Sequence, residues 1–262
     1  MKFVDTHTHL YDEAFAADAD AALERAFSAG VERLIFPGID SSTYKAQMAL
    51  SGKYPSNVFN AMGLHPTSIS DNWRDELQFV MDAFASDRQP ERGFVAVGEI
   101  GLDGYWSKTF MEQQKEAFEA QLELASRLNL PVIIHQRDAL EHTFDILERW
   151  KGRVRGLFHA FTGSAETYGR IKRLGNFKVG IGGVVTFKNA SIAKVVEEIE
   201  LADILLETDS PWLTPAPYRG KRNESSYIPI IAEKIAQIKG IGIEQVAEAT
   251  TANAEEFFRI NS

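Results

Sequence analysis

Short apolar and β-branched runs alternate along the chain with longer segments in which apolar residues follow the helical period. These two patterns are typical of buried strands and of amphipathic helices. The apolar runs predict strands at residues 3–9, 33–38, 58–64, 94–100, 131–135, 155–159, 177–182 and 204–208. The longer segments predict helices at residues 18–29, 112–128, 190–199 and 228–238. Strand and helix are therefore expected to alternate along the chain.

Most of the eight predicted strands are apolar throughout, as expected for a parallel sheet that is covered on both faces. Eight strands alternating with helices in 262 residues predict an α/β fold, a single-domain (β/α)8 TIM barrel spanning residues 1–262. The stretch after Ile243 is expected to add one or two closing helices. The glycine-rich strand at 177–182 is the least regular, and a doubly wound open sheet is the structural alternative.

The composition limits the chemistry that the chain can perform. There is no cysteine, which excludes disulfides, thiolate metal sites and cysteine nucleophiles. The formal net charge of −9 argues against binding long nucleic acid through the surface field, but it does not exclude nucleic acid as a substrate. No apolar run approaches the ~20 residues that span a bilayer, and the amino-terminal segment lacks the features of a signal peptide. A cytoplasmic protein without a membrane partner is expected.

Five of the six histidines lie at or just past the carboxyl end of a predicted strand. They are His7, His9, His65, His135 and His159. The sixth, His142, falls on a predicted helix and is expected to face solvent. An isolated strand histidine is more often a hydrogen-bonded core residue than a ligand. Because the carboxyl ends of barrel strands form the rim that carries the active site, the shared position of five histidines indicates a functional site.

Two carboxylates share this position, Glu99 at the end of the fourth strand and Asp209 just past the eighth. Taken singly, Glu99 has the alternative explanation of a salt-bridge partner, and Asp209 that of an N-cap before Ser210 and Pro211. A carboxylate at the end of an apolar strand is costly unless it is paired or binds a metal. With four of the histidines, the two carboxylates form a set able to hold two divalent ions ~3.5–4 Å apart, one carboxylate bridging them. This candidate set is His7, His9, Glu99, His135, His159 and Asp209.

Seven motifs occur in an order typical of one family: DTHTHL, GLHP, GEIGLD, VIIHQRDA, HAFTG, ETDSPWLTP and RGKRNE. Together they resemble the TatD family of metal-dependent deoxyribonucleases, over nearly the whole chain from Asp5 to about Asn253. The first motif alone is shared with the wider amidohydrolase superfamily. Many members of that superfamily carry a carboxylated lysine on strand four, whereas this chain has Glu99, which favours the TatD branch.

The resemblance implies a TIM barrel with a two-metal phosphodiesterase site. His7 and His9 would hold the first metal, and Glu99 would bridge the two. His135 and His159 would hold the second metal, and Asp209 would complete the first beside the nucleophilic water. Asp209 and Glu99 are thus the implied catalytic residues. Two divalent cations are expected, with Zn²⁺, Mn²⁺, Mg²⁺ and Fe²⁺ all compatible with imidazole and carboxylate ligands.

Two rim loops depart from the family pattern. Gly104 comes between GEIGLD and the aromatic residues Tyr105 and Trp106, which usually follow directly. Ser225 stands where proline is common after RGKRNE. Both departures leave the predicted ligands intact and bear on substrate preference instead.

Further residues near the rim have predicted supporting roles. Glu207 precedes Asp209 by two positions and is expected to bond a ligand from behind, and Asp103 is a second candidate for this role. The candidates for substrate or phosphate contact are His65, Arg137, Arg219 and Arg222, with Lys221 in the same basic run. For His65 a structural role in a turn is an equal alternative. The aromatic residues Tyr105, Trp106, Trp212 and Tyr218 are candidates for stacking on unpaired bases, or simply close loops.

These features favour a hydrolase of DNA acting from a single-stranded end, with DNA as the substrate and no obligate protein partner. The alternative on the same site is hydrolysis of small amides or esters, including deacylation of aminoacyl-tRNA, which an acidic surface also suits. A binding protein with a vestigial site is the third hypothesis, and the complete ligand set argues against it.

Overall fold

The computed structural model describes residues 1–85, 90, 93–106 and 108–260. Within these ranges eight strands form one sheet in chain order, and each successive pair of strands is parallel. The strands are β1 (Phe3–Asp5), β2 (Val31–Phe36), β3 (Val58–Met62), β4 (Phe94–Asp103), β5 (Val132–Arg137), β6 (Gly156–Phe158), β7 (Phe177–Ile181) and β8 (Ile204–Leu206). All eight predicted strands are therefore present, with shifted ends.

The chain segments that follow the first and last strands meet and close the sheet into a barrel. The amide of Thr6 donates to the carbonyl of Leu206 at 2.9 Å, and Thr8 forms a parallel bridge with Ser210. A doubly wound sheet would leave β1 and β8 unpaired with one another, so the open-sheet alternative is wrong. The predicted (β/α)8 barrel is confirmed.

Helices follow the strands and form the outer layer. They are α1 (Ala19–Ser28), α2 (Ser41–Ser51), α3 (Trp73–Ala85), α4 (Met111–Leu128), α5 (Leu140–Arg149), α6 (Ala165–Leu174), α7 (Ile192–Glu198), α8 (Ile228–Lys239) and α9 (Ile243–Phe258). The stretch after Ile243 is thus a single helix. Within the described ranges, no helix is long and apolar enough to cross a membrane.

Local sequence signals set several helix ends. Asp40 accepts from the amide of Ser42 and begins α2, and the hydroxyl of Ser164 accepts from Thr167 and begins α6. Gly240 adopts the left-handed conformation, with φ of 65°, directly after α8. Side-chain acceptors at the start of a helix and glycine past its end satisfy backbone groups that the helix itself leaves free.

The barrel interior is apolar at its amino end. Val4, Ile35, Ile133 and Leu205 belong to one buried cluster with Phe258 of α9. The carboxyl-terminal helix therefore packs across the amino end of the strands and closes it. Polar side chains gather at the opposite, carboxyl end.

The first predicted strand is shorter than expected, and this changes the placement of its two histidines. Regular pairing stops at Asp5, because the backbone beyond it alternates between neighbours: Thr6 bonds to β8 and Thr8 bonds to Ile35 of β2. His7 and His9 consequently lie past β1 rather than within it.

The fourth strand is longer than predicted. It continues through Asp103, since Leu102 and Asp103 pair with Gln136 and Arg137 at the end of β5. Glu99 and Asp103 therefore lie on the same strand, which continues to the rim.

Candidate metal centre

The six candidate ligands come together at the carboxyl end of the barrel. Glu99 lies within β4 and His135 within β5, while His159 directly follows β6. The remaining three follow β1 and β8, where the barrel closes. There the amide of Asp209 donates to the carbonyl of His7 at 2.8 Å, so two candidate ligands lie where the barrel closes. Parallel strands that end at one rim bring together residues far apart in sequence.

Glu99 is the central residue of this cluster, because its two carboxylate oxygens face different histidines. Oε2 lies 3.1 Å from Nε2 of His7. Oε1 lies 2.7 Å from Nε2 of His159 and 2.9 Å from Nδ1 of His135. A carboxylate placed in this way has the geometry of a bridge between two groups of imidazoles.

The first group of ligands contains His7, His9 and Asp209. The Nε2 atoms of the two histidines are 3.1 Å apart. They lie 3.6 and 3.5 Å from Oδ1 of Asp209. Two imidazole nitrogens on one tetrahedral Zn²⁺ would be about 3.3 Å apart, from bond lengths of about 2.05 Å. The spacing therefore suits convergence of all three side chains on one ion.

Hydrogen bonding behind His9 fixes which of its nitrogens faces this group. The hydroxyl of Tyr11 donates to the carbonyl of Pro37, which can only accept. The oxygen of Tyr11 is therefore left to accept from Nδ1–H of His9 at 2.9 Å. Nε2 of His9 consequently presents a lone pair towards Glu99 and Asp209, as a metal ligand must.

The second group contains His135 and His159, whose facing nitrogens are 3.3 Å apart. Nε2 of His135 also lies 2.9 Å from Oδ2 of Asp103. Burial lowers the pKa of His135, but its bonds to Asp103 and Glu99 outweigh that effect and raise it to about 9. Without a cation in the site, His135 is therefore protonated, and binding a metal requires it to release that proton.

His65, predicted as a substrate contact or a turn residue, lies buried against Glu99. Its Nδ1 accepts from the backbone amide of Thr67 at 3.1 Å, so its proton resides on Nε2. Nε2 lies 3.1 Å from Oε1 of Glu99 and donates to it. His65 therefore has the opposite tautomer to His9 and acts as a hydrogen-bond donor that orients the central carboxylate.

Five carboxylates surround the histidines, and four of them are buried. They are Asp5, Glu99, Asp103, Glu207 and Asp209. In the part of the chain that the structure describes, no lysine or arginine pairs with any of them, whereas histidines pair with four. Burying carboxylates without fixed positive charge is unfavourable unless protons or cations compensate them. The set of imidazoles and carboxylates, without a lysine or arginine partner among the described residues, therefore fits divalent metal ions.

The ionisation of these groups divides them into two classes. Burial raises the pKa of Glu99, but the charges of the surrounding imidazoles, His159 first, hold it well below its usual range. Burial also lowers the pKa of His7 to about 4, so its ring is neutral. By contrast, burial raises the pKa of Glu207 well above its ordinary value and that of Asp5 to about 7. Glu99 and His7 are thus poised as ligands.

Glu207 occupies a space that glycine provides. Its Oε1 accepts from the amide of Ala160 and lies 4.0 Å from Nδ1 of His159. A side chain at Gly180 of β7 would place its Cβ only 1.9 Å from Oε2 of Glu207. The glycine content that made this strand irregular in sequence therefore makes room for the carboxylate behind His159.

A buried polar network behind the first ligand group was missed by the sequence analysis. Asp5 accepts from the hydroxyl of Thr208 at 2.6 Å, from its amide at 3.0 Å and from the amide of His7 at 3.3 Å. Tyr11, which orients His9, was missed as well. The available signal was proximity in sequence, since Asp5 precedes His7 and Tyr11 follows His9 by two positions.

Residues 4–259 match the family model for TatD related DNase. The chain belongs to this family. It is 42% identical over 259 residues to the uncharacterized metal-dependent hydrolase YabD of Bacillus subtilis (strain 168), across 98% of this chain and 99% of YabD. It is 34% identical to the 3′-5′ ssDNA/RNA exonuclease TatD of Citrobacter rodentium (strain ICC168), across 98% of this chain and 97% of that protein.

The structural comparison agrees with the family. The crystal structure of YjjV, a TatD homolog from Escherichia coli K12, matches with a TM-score of 0.87 and 31% identity, covering 99% of this chain and 98% of YjjV. The predicted family is confirmed, and the chain is an enzyme of the TatD class of metal-dependent hydrolases.

The two departures from the TatD pattern are placed in different surroundings. Ser225 is buried, and its hydroxyl donates to Oγ1 of Thr8 at 3.2 Å. Thr8 stands between the two candidate ligands His7 and His9 in the sequence. Tyr105 and Trp106, which follow the additional Gly104, are exposed at the rim. The serine therefore supports the centre, and the aromatic pair faces solvent.

The predicted basic contacts do not share one location. Arg222 forms an ion pair with Asp18 at 2.7 Å and also donates to the carbonyl of Ala14, ahead of α1. Its guanidinium is therefore bonded to other parts of the protein. Arg219 lies over the ring of Phe187 at 4.2 Å. Tyr218 stacks on Tyr227 with their ring centroids 4.6 Å apart.

A cavity of about 320 Å³ opens beside the second ligand group. Its lining includes His159, Arg137, Phe161 and Thr167. Among the predicted arginine contacts, Arg137 is thus the one that lies beside the candidate ligands. His142, as predicted, lies exposed on α5, away from this cavity.

Proposed function

We propose that this TatD-family chain is a two-metal phosphodiesterase that hydrolyses DNA from a single-stranded end. His7, His9 and Asp209 would hold one ion, and His135 and His159 the other, with Glu99 as the bridge. The observation that carries the proposal is the division of Glu99, whose Oε2 faces His7 and whose Oε1 faces His135 and His159.

Divalent ions held in such a pair promote ionisation of a water molecule near neutral pH and offset the charge of a phosphodiester. Asp209 would accept the proton of that water. Its side chain is 14% exposed, whereas His7 and Glu99 are buried beneath it. Its backbone φ of 55° is left-handed, a conformation that aspartate tolerates. Asp209 thus meets the substrate side of the centre and acts as the general base.

The remaining residues of the centre hold the ligands in position. Tyr11 fixes the tautomer of His9, Asp103 bonds His135, and Glu207 packs behind His159. His65 donates to Glu99 and keeps its carboxylate oriented. Groups that orient metal ligands in this way typically change metal affinity or activity by about 10- to 100-fold when removed.

DNA is the proposed substrate because of the family and the rim. The family model is that of TatD related DNase, and two relatives are named 3′-5′ ssDNA/RNA exonucleases. Arg137 offers a guanidinium beside the second ligand group, where a phosphate would enter. The net charge of −9 is compatible with a substrate bound locally, at a centre made positive by its ions.

The test begins with protein stripped by a chelator and reloaded separately with Mn²⁺, Zn²⁺, Fe²⁺ or Mg²⁺. Elemental analysis should give two ions per chain for the active metal. End-labelled single-stranded DNA should release mononucleotides only after reloading, and a blunt duplex should react more slowly. Turnover of esters or aminoacyl-tRNA with DNA untouched would favour the alternative substrate class, and full activity of the stripped protein would contradict the metal mechanism.

A further inference from the structure

We propose that two aromatic surfaces, one on each side of the metal centre, hold the unpaired bases of the two nucleotides that flank the scissile phosphate. This inference rests on the proposed function and names what the rim binds: single-stranded nucleic acid, selected by the exposed faces of its bases.

The exposed apolar side chains of the protein are concentrated at this rim. Among the described residues, six large hydrophobic side chains are exposed, and four of them lie in the loops after β4 and β8. Those four are Tyr105, Trp106, Trp212 and Leu213. Clusters of exposed apolar side chains typically mark binding surfaces, whereas scattered single ones do not.

The first surface is the loop after β4. Trp106 is 70% exposed, and the Tyr105 ring meets it edge-on with centroids 5.1 Å apart. The guanidinium of Arg137 lies 3.6 Å from the centroid of Tyr105 and covers one face of that ring. Trp106 is therefore the open platform, and Tyr105 with Arg137 supports it.

This surface is tied to the second ligand group. One carboxylate oxygen of Asp103 accepts from the amides of Tyr105 and Trp106, at 2.9 and 3.0 Å. Its other oxygen bonds His135 at 2.9 Å. A single carboxylate thus fixes both the aromatic turn and a candidate metal ligand.

The second surface is Trp212 in the loop after β8. Its ring is 51% exposed and packs edge-on against His9, with centroids 5.3 Å apart. Its amide donates to the carbonyl of Asp209 at 2.9 Å, and its carbonyl accepts from Asn223 at 2.6 Å. Trp212 is therefore held next to the first ligand group.

Trp212 contacts His9 directly, whereas the turn of Tyr105 and Trp106 is linked to His135 through Asp103. Because these two histidines face different oxygens of Glu99, we place the two surfaces on opposite sides of the centre. His9 belongs with Oε2, and His135 bonds Oε1. A phosphodiester at the centre would consequently have one neighbouring nucleoside near Trp212 and the other near Trp106. Bases stack on aromatic side chains only when their faces are free, which they are in a single strand and not inside a duplex.

The experiment compares Trp106→Ala and Trp212→Ala with the conservative Trp106→Phe and Trp212→Phe, and with Leu128→Ala as a matched loss of an exposed apolar side chain far from the rim. Leu128 is 40% exposed at the end of α4. Each metal-loaded protein is assayed on a single-stranded oligonucleotide and on bis(p-nitrophenyl) phosphate, a small diester without bases.

We expect each alanine variant to lower the ratio of kcat/KM for the oligonucleotide to that for the small diester about tenfold, mainly through KM. The phenylalanine variants should recover most of that loss, because they keep a ring on which a base can stack. Leu128→Ala should leave both rates unchanged.

Oligonucleotides with an abasic site next to the scissile phosphate identify the base that each ring holds. If Trp212 stacks on one of these bases, removing that base should cost wild-type enzyme about tenfold and cost Trp212→Ala almost nothing more. The base on the other side should show the same relation with Trp106.

The outcomes separate this inference from the proposed function. Equal losses on both substrates, or additive losses with every abasic oligonucleotide, would overturn base stacking and leave a structural role for the tryptophans. Unchanged oligonucleotide kinetics in both alanine variants would overturn it too. If wild-type enzyme cleaves the small diester and single strands but the kcat/KM ratios are unchanged in the alanine variants, the proposed phosphodiesterase function holds without base stacking. If wild-type enzyme cleaves neither substrate, the proposed function itself fails.

Discussion

Two clusters of buried acid in this barrel are compensated in different ways. At the amino end of β8, Asp203 is 8% exposed and receives Lys172 at 2.8 Å, Lys178 at 3.4 Å and the hydroxyl of Tyr168 at 2.7 Å. Burial raises the pKa of Asp203, but these partners outweigh that effect and hold it below its ordinary value. At the carboxyl end, Glu99 pairs only with histidines among the described residues.

The difference lies in whether the positive charge is covalently part of the protein. Lysine keeps its charge at neutral pH, so the charge of Asp203 is already compensated and the cluster does not require an added cation. An imidazole can release its proton and then offer a lone pair, as His135 would, so the Glu99 cluster is suited to binding divalent ions. A buried carboxylate thus belongs to a structural ion-pair cluster in one place and to a candidate metal centre in the other.

Glu99→Gln should have the largest effect on the candidate centre, because it removes the negative charge on which both ligand groups converge. We expect hydrolysis of phosphodiesters to fall by about a thousandfold or more, with loss of bound metal by elemental analysis. The far-UV CD spectrum should be retained. The control is His142→Gln, which changes a solvent-exposed histidine; a comparable loss there would show that the assay does not report on the centre.

His135→Lys should convert the centre towards the Asp203 type, because it places a fixed charge between Glu99 and Asp103. Wild-type protein should gain about 5–10 °C in Tm with Mn²⁺ at about 100 times its Kd. The variant should show little or no such gain, since its cation site is already occupied by the ammonium. A full metal-induced shift in His135→Lys, measured by calorimetry, would refute the role assigned to His135.

Tyr11→Phe should have a smaller effect, confined to the first ligand group. Without the phenol, Nδ1–H of His9 loses its acceptor and the ring is no longer held in one tautomer. We expect metal affinity to weaken about tenfold by isothermal titration. Tyr54→Phe is the matched control, because it removes a tyrosine hydroxyl that bonds Asp20 on the surface. Equal weakening of metal affinity in both variants would argue against the role of the hydrogen bond between His9 and Tyr11.

Asp203→Asn should change stability without changing catalysis. The free energy of unfolding should fall by about 1–3 kcal/mol at pH 7, as the lysines lose their charged partner. Because the pKa of Asp203 is depressed in the folded protein, this stabilisation is full above the unfolded pKa of about 4 and is lost as the pH falls through the lower folded value. In urea denaturation, the difference in unfolding free energy between wild type and the variant should be largest at neutral pH and should shrink at acidic pH. A matching loss of metal affinity would mean that the two clusters are coupled.

Much of the fold and the candidate ligands followed from local pattern. Apolar runs predicted every strand of the barrel, and the histidines and acids at their ends predicted a shared rim. The shorter first strand could not be predicted, because pairing beyond Asp5 depends on Leu206 and Ile35, which only tertiary closure brings to it. The length of β4 likewise depends on pairing with β5.

The supporting residues were predictable only in part. Glu207 was predicted from its spacing to Asp209, and Asp103 was named as a second candidate, but the histidine that each would approach was not predicted. Arg222 was predicted as a phosphate contact because it lies in a basic run, whereas in the folded chain it pairs with Asp18. Neither outcome is visible in local sequence, since both partners lie on separate elements.

The sequence by itself determined the alternation that builds the barrel and the placement of polar side chains at the carboxyl ends of its strands. Only the tertiary structure decided that Glu99 divides its two oxygens between two groups of candidate ligands and that His9 and His65 adopt opposite tautomers. It also decided that no lysine or arginine among the described residues pairs with the five carboxylates of the candidate centre. The physical reason is that period and strand polarity are local properties of a chain, whereas hydrogen-bond partners and charge compensation depend on which distant segments meet.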